Sequence, residues 1–167
     1  VAGPGPDATQ SQIAVLACFL ASQKSGNVFM PVGVQATAHQ CQSDLSDLGI
    51  DFAVGLFDDP RLQGLGPDTE TDFPHIGQVR IWALHPDQSA RPKLPDVTQI
   101  IYSSSGTTGT QKKICVGADR FTCYFNGVQQ AKILKPGPSL AGANVSFDVW
   151  MYDVLYAILS GHPAIFV

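Results

Sequence analysis

The chain has 167 residues, a net charge of −4 and a pI near 5.3, with 44% hydrophobic and 14% charged residues. That is one domain's worth of globular sequence, long enough to bury a core and too apolar to be disordered. The acidic balance argues against a nucleic-acid footprint, and the longest apolar run, Ile13 to Ala21, is too short to span a bilayer.

Residues 1–8, with Gly3, Pro4, Gly5 and Pro6, read as a linker and lack the basic start of a signal peptide. Thr9 and Gln12 have capping-box spacing ahead of an apolar run. Ile13, Leu16, Ala17 and Leu20 then recur on one helical face, Val15, Cys18 and Phe19 make the other side apolar, and Gly26 ends the helix. A strand over 28–32, closed by Pro31, leads to a second helix from Ala36 to Leu48, with Gly49 as its stop. A strand over 52–57 follows. Asp58 to Gly77 is polar and Gly/Pro-rich and reads as surface loop; Val79 to Leu84 is a short strand; His85 to Pro95 is loop again. Helix and strand alternating with short joints predicts an α/β fold, a mainly parallel sheet flanked by helices.

The chemistry concentrates in Ile100 to Lys113. Gln99 to Tyr102 is a β-branched run that favours a buried strand. It stops in Ser103, Ser104 and Ser105, followed by Gly106, Thr107, Thr108, Gly109 and two lysines. Glycines let backbone N–H groups turn inward, hydroxyls add donors, and Lys112 adds a point charge, a set suited to polyphosphate oxygens. The Walker spacing is absent, and composition alone also fits a plain Ser/Gly turn. Beyond it, Ile114 to Val116 reads as a strand, and Asp119 can cap a helix whose stripe of Phe121, Tyr124, Phe125 and Val128 reads as core. Asp148 is placed to cap a last helix with Met151, Val154, Leu155 and Ile158 on one face and Gly161 at its end. A strand over 164–167 closes the chain.

Ser-Ser-Gly-Thr-Thr-Gly-x-x-Lys at 104–112 resembles the phosphate loop of the adenylate-forming superfamily, which includes acyl-CoA ligases and the adenylation domains of nonribosomal peptide synthetases. The family pattern continues Gly-x-Pro-Lys-Gly; here Gln111 and Lys113 flank the matching Lys112, and the His that often follows is replaced by Gly117 and Ala118. Two further stretches agree in order. Lys24 to Val32 resembles the family's Lys-Ala-Gly-Gly-Ala-Tyr-Val-Pro segment, and Phe147-Asp148 with Leu159-Ser160-Gly161 resembles the peptide-synthetase stretch Phe-Asp-x-x-x-Trp-Glu-Ile with its later Leu-x-Gly.

The resemblance implies cofactor-binding roles for Ser104, Ser105, Gly106, Thr107, Thr108, Gly109 and Lys112. It implies that Asp148 holds the ammonium group of an amino-acid substrate, with a simple helix cap as the alternative from its local context. ATP and Mg are implied for the complete family domain, with neither bound tightly by this chain. The family's adenine, ribose and magnesium motifs and its catalytic lysine have no match in these residues, so no catalytic residue is assigned. The reading is a partial, truncated adenylation-like domain over 9–167, inactive alone and serving as scaffold beside a condensation or carrier domain. The alternative is a fragment of an active ATP-dependent carboxylate-adenylating ligase. Cys18, Cys41, Cys115 and Cys123 show no ligand rhythm and read as packed, reduced thiols of a cytoplasmic protein; no metal site and no membrane or nucleic-acid partner are expected.

Overall fold

The computed structural model describes residues 8–33, 35–56, 59–62, 69–74, 76–84, 86, 91–104, 112–132, 135 and 137–167. These fall into two compact units, Val1–Cys18 with Val34–Lys93, and Phe19–Gly33 with Leu94–Val167. Helix α1 (Ala8–Ser25) runs across the division, and Thr9 lies inside it, not at its cap. Gly26 takes a positive φ of 72° just past its end, the left-handed turn that glycine adopts without a Cβ penalty. The most buried side chains of α1 are Gln12 and Phe19, one seven-residue step apart, whereas Leu20, expected on the buried face, is half exposed.

The first unit contains α2 (Ala38–Asp47), β1 (Phe52–Leu56), a 3-10 turn (Pro60–Leu62), β2 (Thr69–Phe73) and β3 (Gly77–Ala83). Thr37 caps α2 by accepting a hydrogen bond from the Gln40 N–H at 3.1 Å. The strands form one sheet in the order β1-β3-β2, antiparallel throughout, with Val54 opposite Ile81 and Thr71 opposite Val79. Trp82 and Val79 are its buried residues. Strand β2 lies in the stretch expected to be loop. Its sequence, Thr-Glu-Thr-Asp-Phe, is exposed at every position, so no hydrophobic alternation marked it.

The second unit holds β4 (Thr98–Ser103), β5 (Lys113–Gly117), α3 (Ala118–Ala131), β6 (Ser139–Ala141), α4 (Asp148–Leu159) and β7 (Ala164–Phe166). Strands β4 and β5 pair antiparallel, with Ile101 opposite Cys115 and Ser103 opposite Lys113. Strands β6 and β7 pair parallel. The stretch expected as a strand over 28–32 contributes one parallel bridge, Phe29 to Ile100, made by the Phe29 N–H to the Gln99 carbonyl (2.9 Å) and the Ile101 N–H to the Phe29 carbonyl (2.8 Å). The core is hydrocarbon: Ile100, Trp150, Met151, Val154, Ala141 and Ala157 are wholly buried.

The α/β class therefore holds, but the expected mainly parallel sheet does not: among the described strands the pairing is mostly antiparallel. The reason is connectivity. Parallel neighbours need a crossover, usually helical, while β2–β3 and β4–β5 are joined by direct returns that put successive strands side by side and opposed. Two cap assignments change as well. Gly117, not Asp119, is the N-cap of α3, and Phe147, not Asp148, is the N-cap of α4; neither gives a side-chain cap hydrogen bond. Nor are all the thiols packed, since Cys115 and Cys123 are exposed and only Cys41 is fully buried.

Candidate functional site

The hairpin of β4 and β5 ends in a neck built from the residues that bracket the Ser/Gly/Thr loop. The Ser104 N–H donates to the Lys112 carbonyl at 2.8 Å, and the Lys112 N–H donates to Ser104 Oγ at 2.9 Å. One step below, Lys113 Nζ donates to Ser103 Oγ at 2.8 Å. Ser104 thus fixes the Lys112 backbone and Ser103 the Lys113 ammonium group across the strand pair, and Lys112 is exposed. Ser105, Gly106, Thr107, Thr108 and Gly109 lie outside the described residues.

Asp148 is the first residue of α4 and is exposed. Its Oδ1 accepts the Val149 N–H at 2.9 Å, and its charge sits at the positive end of the helix dipole. Tyr152, one turn later on the same face, stacks on Tyr124 of α3 with ring centroids 4.2 Å apart and planes at 28°. Phe121 adds a second contact at 5.4 Å. The α3 stripe read as core is therefore divided: Phe121 and Val128 are buried, while Tyr124 is partly exposed over Tyr152.

Tyr102, two residues before Ser104, is the residue that sequence reasoning missed. It is buried, and its hydroxyl has no hydrogen-bond partner among the described residues. Burial above all, then the neighbouring Tyr152 and Asp148, push its phenol far above the ordinary value. Burial raises Tyr152 too, followed by Asp148 and Tyr124. The available signal was a single polar aromatic closing the run Ile100-Ile101-Tyr102. Two surface clefts, a polar one of about 180 Å³ beside Asn27 and Thr98 and an apolar one of about 380 Å³ beside Phe19 and Phe125, are lined by neither Tyr102 nor Asp148. Among the described residues no group of three or more His, Cys, Asp or Glu could hold a metal ion, and no helix is long and apolar enough to cross a membrane.

No protein-family model matches the chain. A D-alanine–D-alanyl carrier protein ligase of Listeria monocytogenes serotype 4b is 29% identical over 163 residues, covering 88% of this chain and 29% of the relative. The adenylation domain AlmE of Vibrio cholerae, solved with glycyl-adenosine-5'-phosphate, superposes with a TM-score of 0.58 at 18% identity over 90% of this chain and 33% of that one. A malonyl-CoA ligase, solved as a ternary product complex with methylmalonyl-CoA and AMP, gives 0.59 at 16% identity, over 96% of this chain and 34% of the other. The chain is thus similar in sequence to part of one such ligase and shares its fold with part of two other solved enzymes of the adenylate-forming kind. It spans about a third of the length of these relatives.

Proposed function

We propose that this chain is the phosphate-gripping and acid-positioning part of an ATP-dependent ligase that activates an amino acid as its adenylate and passes it to a carrier protein. The observation that supports this most is the Ser104–Lys112 neck, which closes a loop of phosphate-loop sequence at the end of β4. In this reading Ser104, Ser105, Gly106, Thr107, Thr108 and Gly109 turn donors toward the outgoing phosphates. Lys112 neutralises them, and Asp148 holds the substrate ammonium group by a charge-assisted hydrogen bond. The curated relative's carrier protein and the glycyl adenylate of the solved neighbour suggest the amino-acid branch and a carrier domain as partner. ATP is then a substrate, with Mg bound together with it through residues other than these.

The 167 residues taken alone are proposed to be inactive. Charged hydrogen bonds net about 1.5–3 kcal/mol each. Lost translational and rotational freedom opposes them by roughly 4–15 kcal/mol. The balance places ATP affinity at about millimolar or weaker. A scaffold role inside a synthetase is the second reading, favoured by Gln111 and Lys113 in the loop ending and by Gly117 and Ala118 where family members carry His.

Titration of the labelled chain with inorganic tripolyphosphate, followed by NMR, tests the loop. Perturbations at Ser104 and Lys112 that weaken severalfold in Lys112→Ala are expected; perturbations indifferent to that change would remove the phosphate role. ATP–pyrophosphate exchange with a panel of amino and aryl acids tests the inactivity. Exchange above the Lys112→Ala background, or micromolar ATP binding by calorimetry, would show that the chain is competent by itself.

A further inference from the structure

The polar cleft of about 180 Å³ lies wholly within the second unit, between the C-terminal end of α1 and the start of β4. Gln23, Gly26 and Asn27 line it from one side, and Asp96, Thr98 and Gln99 from the other. Backbone geometry holds the two walls together. After the left-handed turn at Gly26 the chain joins β4 through the Phe29 N–H, which donates to the Gln99 carbonyl at 2.9 Å. On β4 the register against β5 slips between Thr98 and Ile100, so Gln99 is an extra, bulged residue. Such bulges re-aim a side chain and are over-represented beside functional sites.

The hydrogen bonds around the cleft run in one direction. Ser22 Oγ donates to the Phe19 carbonyl at 2.7 Å, and Ser25 Oγ donates to the Ala21 carbonyl at 2.9 Å. With their protons committed to the helix, these hydroxyls accept from Gln23 Nε2 at 3.3 Å and from Asn27 Nδ2 at 2.7 Å. That network fixes which way both amides face, and their carbonyl oxygens are left without a partner among the described residues. Asp96 is exposed and has no ion pair among the described residues. Lys24, the basic residue in the last turn of α1, is not part of the lining. The cleft thus offers a carboxylate and two amide oxygens beside the negative end of an 18-residue helix, with no cation among them. The Thr98 hydroxyl is enclosed and takes no part. The space equals roughly six water molecules, far more than a bare metal ion fills and enough for a small organic cation. A primary ammonium carries the matching set, one positive charge and three N–H donors on one atom. We propose that this cleft binds a primary amine as its ammonium ion, held by Asp96 and by the amide oxygens of Asn27 and Gln23. Neither the phosphate loop nor Asp148 takes part in it.

The test is nitrogen-15 NMR of the full 167-residue chain at constant pH and ionic strength. It is titrated with ethanolamine, with Nα-acetyl-lysine amide, and with ethylene glycol as a neutral molecule of ethanolamine's size. Residues 23–27 and 96–99 should shift and saturate with an amine at millimolar concentrations, while ethylene glycol leaves them unmoved. The tighter of the two amines tells whether a free amine or a lysine side chain is the natural form. Asp96→Asn should weaken binding by about tenfold, the scale of one charge-assisted hydrogen bond, and Asn27→Ala by severalfold. Both residues are exposed and stand on opposite walls, so each variant should stay folded, and either one alone decides the matter. The proposal is overturned if neither amine gives a saturable shift at these residues, or if ethylene glycol shifts them as ethanolamine does. Amine binding that survives intact in Asp96→Asn and Asn27→Ala would overturn it as well.

Discussion

Two aspartates show how the same side chain is pushed in opposite directions. Asp153 on α4 is raised by burial alone. A raised folded value means that the protonated folded form is favoured, so this stability is present below the ordinary value of 3.8 and lost as pH rises through the folded value. At neutral pH the ionised group is a small burden. Asp153→Asn should raise stability at pH 7 by no more than about 0.5 kcal/mol, with the gain fading near pH 3 in urea melts. For Asp59, burial opposes ionisation, but hydrogen bonds from the Arg61 side chain and backbone and its charge outweigh it, and the value falls. Arg61 Nε and Nη2 grip both carboxylate oxygens at 2.6–3.0 Å. A depressed value contributes stability above 3.8 that is lost as pH falls through the folded value. The pair is partly exposed, so Arg61→Ala should lose about 1 kcal/mol or less at pH 7, and the difference should close below pH 3.8.

At the level of elements, the helices were legible and the pairing of strands was not. Apolar recurrence at helical spacing placed the four helices of the described residues, and Gly26, Gly49 and Gly161 stop three of them with positive φ. Faces were read less well: on α4 the wholly buried residues include Trp150 and Ala157, while the expected Ile158 is half exposed. Period alone cannot say which neighbour a short helix will meet. Strand β2 was invisible because a strand exposed on both faces needs no apolar residue, and the antiparallel returns were invisible because alternation fixes a face, not a partner. For the site, Ser104, Lys112 and Asp148 stood out by residue type and order. Tyr102 did not, because a missing hydrogen-bond partner is a fact of three dimensions. Gly117 is a similar case: a Cβ there would sit 2.8 Å from the Val97 carbonyl and 2.7 Å from Asp119 Oδ1, although its φ of −97° suits any residue. Backbone cannot step aside as a side-chain tip can. Gly117→Ala should therefore destabilise by about 1–3 kcal/mol, read as a lower urea midpoint at unchanged slope.

Across the whole molecule, burial is unevenly distributed, and stability should follow it. Among the described residues, the second unit holds every wholly buried large side chain, Ile100, Ile101, Met151, Trp150 and Val154, on just two elements, β4 and α4. In the first unit Trp82 and Val79 anchor β3, but β2 has no buried residue and is held by backbone pairing and an Arg80–Glu70 ion pair at 2.9 Å. Regions with few buried apolar contacts open locally at low free energy, well below global unfolding. Trp150→Ala should accordingly be among the most damaging substitutions, at about 3–5 kcal/mol, through the cavity left in a core that cannot collapse around it. Native-state hydrogen exchange reads the same gradient without mutation. The amides of 100–102 and 152–157 should exchange only by opening of the entire second unit, and those of 69–73 should be the fastest among the strands. If β2 proved as protected as β4, side-chain burial would not be what ranks these elements, and the anchoring assigned to Ile100 and Trp150 would have to be shared with backbone pairing.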